Sequence, residues 1–152
     1  MAREIEFRFK GPHESPGYLL GQLTQLWQRR QRRVLDPLNL TPTQFVILAA
    51  VGWLAKGREA VTQTDIANQS NTDTMMVSKV LRTLETKRYI SRREHPVDTR
   101  AKVIALTEEG ATLLQQALRV VEETDLEFFS VVGEELPAFN RTMVRILERN
   151  GE

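Results

Sequence analysis

Thr72-Asp73-Thr74-Met75-Met76-Val77-Ser78-Lys79-Val80-Leu81-Arg82-Thr83-Leu84-Glu85 places Val77, Val80, Leu81 and Leu84 at i, i+3, i+4 and i+7, the spacing of a helix with one buried face. At about 100° per residue, the opposite direction holds Met75, Lys79 and Arg82, with Ser78 beside them. Such a helix turns reaching, contact-making side chains outward. Downstream, Tyr89-Ile90-Ser91-Arg92-Arg93 and Val103-Ile104-Ala105-Leu106-Thr107 read as two short strands around Glu94–Lys102, which holds Pro96 and is dense in charge. A hairpin with a charged tip is predicted.

Upstream, Thr62-Gln63-Thr64-Asp65 has the form of a capping box with a short acid in place of Glu. It opens a small helix through Ile66 and Ala67, which Ser70-Asn71 ends, and Thr72 or Asp73 caps the next. A small helix, a tight turn, an amphipathic helix with a basic outer face and a basic hairpin follow the order of a winged helix-turn-helix. A DNA major groove admits such a helix: Lys79 and Arg82 can reach guanine edges or phosphates, Ser78 can bond either, and Met75 can touch a thymine methyl. The competing structural readings are a solvated face for Lys79 and Arg82, and a core-filling role for Met75 beside Met76.

The flanks read as helices. Residues 1–14 contain the alternating run Ile5-Glu6-Phe7-Arg8-Phe9-Lys10 before Gly11-Pro12, an extended arm or a short strand. After Ser15-Pro16, Leu19, Leu23, Leu26, Trp27 and Val34 mark one face of a long helix that Asp36-Pro37 stops. Thr41-Pro42 starts a second, carrying Phe45, Leu48, Ala49 and Gly52 up to Lys56-Gly57. Thr107-Glu108-Glu109 caps a helix running to about Phe129, and a last one from Pro137 to about Asn150 carries Phe139, Met143, Ile146 and Leu147. Between Leu113 and Val132 the apolar residues cover about 180°, more than a one-sided helix needs. That helix should touch two neighbours.

The chain's 152 residues and 27% charged composition suit one folded domain. No apolar run approaches the roughly 18 residues of a membrane span, and the charged N-terminus is no signal peptide, so no membrane is expected and the cytoplasm is the expected location. There are no cysteines and only two histidines, which leaves no thiol nucleophile and little for zinc. His95 reads as a surface residue of the hairpin, and no phosphate-cradling glycine loop is present; neither an enzyme nor a bound cofactor or metal is expected. The net charge of +1 hides a polarity. Residues 78–102 hold eight Lys/Arg against three Asp/Glu, while residues 103–152 hold four against ten. A polyanion would bind the middle segment.

Asp98-Thr99-Arg100-Ala101-Lys102 followed by Leu106-Thr107-Glu108-Glu109-Gly110 resembles the wing of the MarR family of bacterial transcription regulators. Leu40-Thr41-Pro42-Thr43-Gln44-Phe45 is similar to the start of that family's second helix, and Val77 to Glu85 to its recognition helix. The resemblance, covering roughly Pro16 to Asn150, implies a mainly α fold with a small β-hairpin wing. It divides the chain into an arm (1–14), an N-terminal dimerisation helix (15–36), a winged helix-turn-helix (37–107) and C-terminal dimerisation helices (108–152). It implies a homodimeric regulator, usually a repressor, on pseudo-palindromic double-stranded DNA, released by a small anionic or aromatic effector or another signal. Arg100 would enter the minor groove while Asp98 holds the wing's shape, with Arg92, Arg93 and Lys102 alongside. Arg88 stands where the family usually has glycine; either the helix exit differs or Arg88 adds a phosphate contact. Arg29-Arg30-Gln31-Arg32-Arg33 reads first as a solvated helix face, yet Arg30 projects into the apolar arc beside Trp27, where it needs a partner: a carboxylate of the acidic C-terminal helices, or an effector in the crevice between dimer and DNA-binding regions. The alternative function is a winged-helix protein-interaction module without specific DNA binding.

Overall fold

The computed structural model describes residues 1–151. Six helices and one hairpin follow in order: α1 (Pro16–Leu35), α2 (Pro42–Leu54), α3 (Gln63–Ser70), α4 (Thr74–Thr86), β1 (Ile90–Glu94), β2 (Lys102–Leu106), α5 (Glu108–Phe128) and α6 (Leu136–Asn150). Short 3-10 turns lie at Pro12–Glu14, Asp36–Leu38 and Ser130–Glu135. The fold is mainly α with a two-stranded antiparallel wing. Both strands sit one residue away from their predicted bounds, because Tyr89 belongs to the exit of α4 while Glu94 pairs with Lys102.

Side chains on the chain itself start the helices. Thr41 and Gln44 form a reciprocal box at α2, and Thr62 and Asp65 another at α3. At α4, Asp73 Oδ1 accepts from the amides of Met75 (2.6 Å) and Met76 (3.2 Å), so Asp73, not Thr72, is the cap. Burial pulls the Asp65 carboxyl up, but hydrogen bonds from Thr62 and the Arg58 guanidinium 2.6 Å away outweigh it and hold its pKa below the usual carboxylate value.

Three helix exits use a left-handed residue: Asn39 (φ 56°), Asn71 (φ 49°) and Arg88 (φ 67°). At the last, the Arg88 amide donates to Glu85 O and the Tyr89 amide to Leu84 O, the paired bonds of a Schellman ending that normally selects glycine. The exit geometry is therefore kept, with Arg accepting the strain. Beside it, Thr107 N donates to Tyr89 O (3.0 Å), and Thr107 Oγ1 donates to Arg88 O (2.7 Å) while accepting from Gly110 N (3.0 Å). Gly110 is buried against this junction, and a Cβ there would collide with the Tyr89 carbonyl oxygen.

The core centres on α2, which packs against α1, α3, α4, α5 and β2. Leu35, Ile47, Leu48, Val51, Ile66, Val77, Leu81 and Leu84 are fully buried; the α4 residues among them are those the helical spacing selects. Ile104 N donates to Val61 O at 2.8 Å, fastening β2 to the segment before α3. The chain's two ends differ. Leu19, Leu23 and Leu26, predicted to line one helix face, are 37–45% exposed, since α1 meets other elements chiefly at its C-terminal half. No residue of α6 is buried, and Met143, Ile146 and Leu147 lie open. In the arm, Ile5, Phe7 and Phe9 are exposed and unpaired in any strand, so the strand alternative for residues 1–14 is not realised.

Candidate nucleic-acid interface

The outer face of α4 is open as expected. Met75 is 81% exposed, which removes its core-filling reading, and Lys79 and Arg82 are exposed with Ser78 half-buried between them. Arg82 Nε points back to Ser78 O at 3.4 Å. Gln63 Nε2 donates to Thr74 O at 3.1 Å, so α3 holds the first turn of α4 directly. Met76, which the helical projection left as a neighbour, is also exposed, at 45%.

At the wing tip, Asp98 Oδ1 accepts from Arg100 N (3.1 Å) and lies 3.5 Å from Arg100 Nε. The Arg100 side chain is 93% exposed. A carboxylate that bonds the backbone two residues on shapes a turn; its pairing with the guanidinium is solvent-screened and weak, leaving Arg100 free to reach outward. His95 does similar work that sequence reading missed: its Nδ1 accepts from the amides of Val97 and Asp98, both at 3.1 Å, while His95 N donates to Ala101 O. Nothing in the order His95-Pro96 reveals that the ring would fold over its own turn.

Arg93 and Lys102 are exposed on the wing. Arg92 is not free: its Nη2 sits 3.0 Å from Glu85 Oε1 on α4, with the side chain 26% exposed. Arg92 thus braces wing against helix, where β1 and α4 pack together and bring opposite charges into register. Arg88 is exposed beside them. Lys87, also missed, donates to Asn39 O at 3.1 Å.

Among the described residues Arg30 forms no ion pair with a carboxylate. Asp125 Oδ1 accepts from Trp27 Nε1 and Gln31 Nε2, each at 2.8 Å, so the carboxylate of α5 binds two neutral donors. The Arg30 guanidinium lies over the Phe128 ring, 5.5 Å from its centroid, a cation–π contact. A groove of about 710 Å³ opens elsewhere, between α2, α3 and α5. Phe45, Ala49, Trp53, Ser70, Leu114 and Leu118 line it, and Lys56 Nζ stands 5.3 Å from the Trp53 ring centroid at its rim. Neither Trp27 nor Arg30 borders it.

Residues 40–102, from the start of α2 to the return of the wing, match the model of the MarR family. Over 127 residues the chain is 44% identical to a Bacillus subtilis (strain 168) protein described as the uncharacterized HTH-type transcriptional regulator YdcH, spanning 84% of this chain and 86% of that one. The chain belongs to the MarR family. It is a transcriptional regulator with the family's winged-helix fold. Its backbone superposes on the Staphylococcus aureus MepR–DNA complex with a TM-score of 0.80, at 26% identity, over 89% of this chain and 98% of that one. It also matches CouR from Rhodococcus jostii RHA1, solved bound to p-coumaroyl-CoA, with a TM-score of 0.78 at 22% identity over 91% and 94% of the two chains. This MarR-family chain has no single helix, among the described residues, long and apolar enough to cross a membrane.

Proposed function

We propose that the protein binds a pseudo-palindromic operator in double-stranded DNA as a homodimer and represses transcription there. The observation that carries this reading is Arg100, 93% exposed at the tip of a wing whose backbone Asp98 and His95 fix. A long cation on a pre-shaped loop fits a narrow minor groove, where the negative potential is strongest. Lys79, Arg82 and Met75 on α4 supply the major-groove contacts, with Ser78 between them; Arg88, Arg93 and Lys102 reach phosphates.

The uncovered apolar faces of α1 and α6 support the second copy, because a paired surface of this kind returns to burial in a two-fold dimer. On this reading α1 and residues 108–152 are the dimerisation elements around a DNA-binding unit of residues 37–107. Half-sites then lie about 10 base pairs apart, or a multiple of that. A small aromatic or anionic effector fits the groove between α2, α3 and α5, where Trp53 offers a face and Lys56 a charge.

Selection of bound duplexes from a random library, followed by affinity titration across salt concentrations, tests the reading. Affinity should fall steeply with salt through counterion release, and Arg100→Ala should weaken the selected duplex about tenfold or more. Recovery of no common sequence, with binding indifferent to salt and to Arg100→Ala, would favour a protein-interaction module.

A further inference from the structure

The chain has no cysteine and four methionines, and two of those sulfurs, Met75 and Met76, occupy the first turn of the recognition helix. We propose that Met75 is an oxidation site through which peroxide- or hypochlorous-acid-class oxidants release the protein from DNA, a proposal that rests on the DNA-binding reading above. Apart from the N-terminal Met1, Met75 is the most exposed of the methionines, at 81% against 45% for Met76 and 38% for Met143 on α6. Its position is fixed from below, since its own amide is held 2.6 Å from Asp73 Oδ1 and Gln63 anchors Thr74. The thioether therefore stands outward on the face that carries Lys79 and Arg82, open to solvent whenever DNA is absent.

A thioether is an accessible two-electron donor. With hypochlorous acid the sulfur gains one oxygen and gives up two electrons, the chlorine takes those electrons and leaves as chloride, and one proton is released. With hydrogen peroxide the O–O bond breaks, one oxygen passes to sulfur and the other leaves as water. Either route turns a flexible apolar side chain into a polar, chiral sulfoxide. In free protein, water solvates the new oxygen at little cost. Against a thymine methyl in the bound complex the same oxygen loses that water and puts a polar group where an apolar contact stood. Oxidation thus penalises the bound state and spares the fold, because the Met75 side chain contributes nothing to the buried core.

The test uses the full chain and its selected duplex. Affinity is measured before and after limited hypochlorous acid treatment, mass spectrometry locates the added oxygen, and methionine sulfoxide reductases are applied to reverse it. The expected result is a loss of about tenfold or more that tracks oxidation at position 75 and is restored by the reductases. Whatever its starting affinity for the duplex, Met75→Leu should lose none of it to the oxidant, Met76→Leu should lose affinity as the unaltered protein does, and Met75→Gln should mimic the oxidised state. Unchanged affinity with Met75 fully oxidised, or equal sensitivity in Met75→Leu, overturns the proposal while leaving the DNA-binding reading intact. Absence of duplex binding by the untreated protein overturns both.

Discussion

Residues 42–106 and the two terminal helices are built from similar proportions of leucine, isoleucine and valine, but they use them differently. In the central unit the apolar side chains of α2, α3 and α4 close on one another and on α5 until seven large residues, Ile47, Leu48, Val51, Ile66, Val77, Leu81 and Leu84, are fully buried. In α6 none is buried, and α1 leaves Leu19, Leu20, Leu23 and Leu26 uncovered. One region lies inside the core; the other is a face without its complement. The contrast predicts that mutations in the first act on folding and mutations in the second act on association.

The sharpest break comes at Gly110. Gly110→Ala drives a Cβ into backbone at Tyr89, and overpacking against atoms that cannot rotate away should cost about 3 kcal/mol, visible as a large drop in the thermal midpoint at any protein concentration. Next, Ile146→Asp combined with Leu147→Asp should leave the helical content and monomer melting nearly unchanged while abolishing association in sedimentation; a folded dimer in this variant would mean the α6 face is not where copies meet. Smaller is the gain from Arg88→Gly, which relieves a left-handed arginine and should stabilise by about 1 kcal/mol in denaturant titration, with any loss of DNA affinity then reporting a separate phosphate contact. The smallest effect is a pH dependence. Because the Asp65 pKa is lowered in the folded state, its contribution is present above the unfolded carboxylate value of about 3.9 and is lost as pH falls through the folded one. Asp65→Asn should flatten the acid limb of the stability profile below about pH 4 without altering association.

The helix-turn-helix and wing were legible because their signals are local. A capping box spans four residues and the α4 stripe repeats within eight, so Thr62, Asp65, Val77 and Leu84 announce themselves without knowledge of the rest. The glycine-like geometry at Arg88 was legible only through the family resemblance, as a departure whose outcome the motif left open. What escaped depends on distance or on side-chain torsion. Trp27 and Asp125 meet across 98 positions, and helical projection, which placed Arg30 in an apolar arc, had no means of choosing Phe128 over a carboxylate as its partner. Arg92 looked like any other wing cation until the packing of β1 on α4 brought Glu85 beside it. His95 and the groove below Trp53 required the turn and the helix spacing to exist first.

The junction of Arg88, Tyr89, Thr107 and Gly110 fuses the end of the DNA-reading helix to the first turn of α5 with no slack residue between them. The 21 residues of α5 make a rod about 30 Å long. Clamped at one end, such a rod acts as a lever: a tilt of about 5° at its far end carries the clamped end through about 3 Å, close to the rise of one base step, about 3.4 Å. In the proposed dimer the pitch of one helix therefore sets whether two reading heads fall in or out of phase with the turns of a duplex.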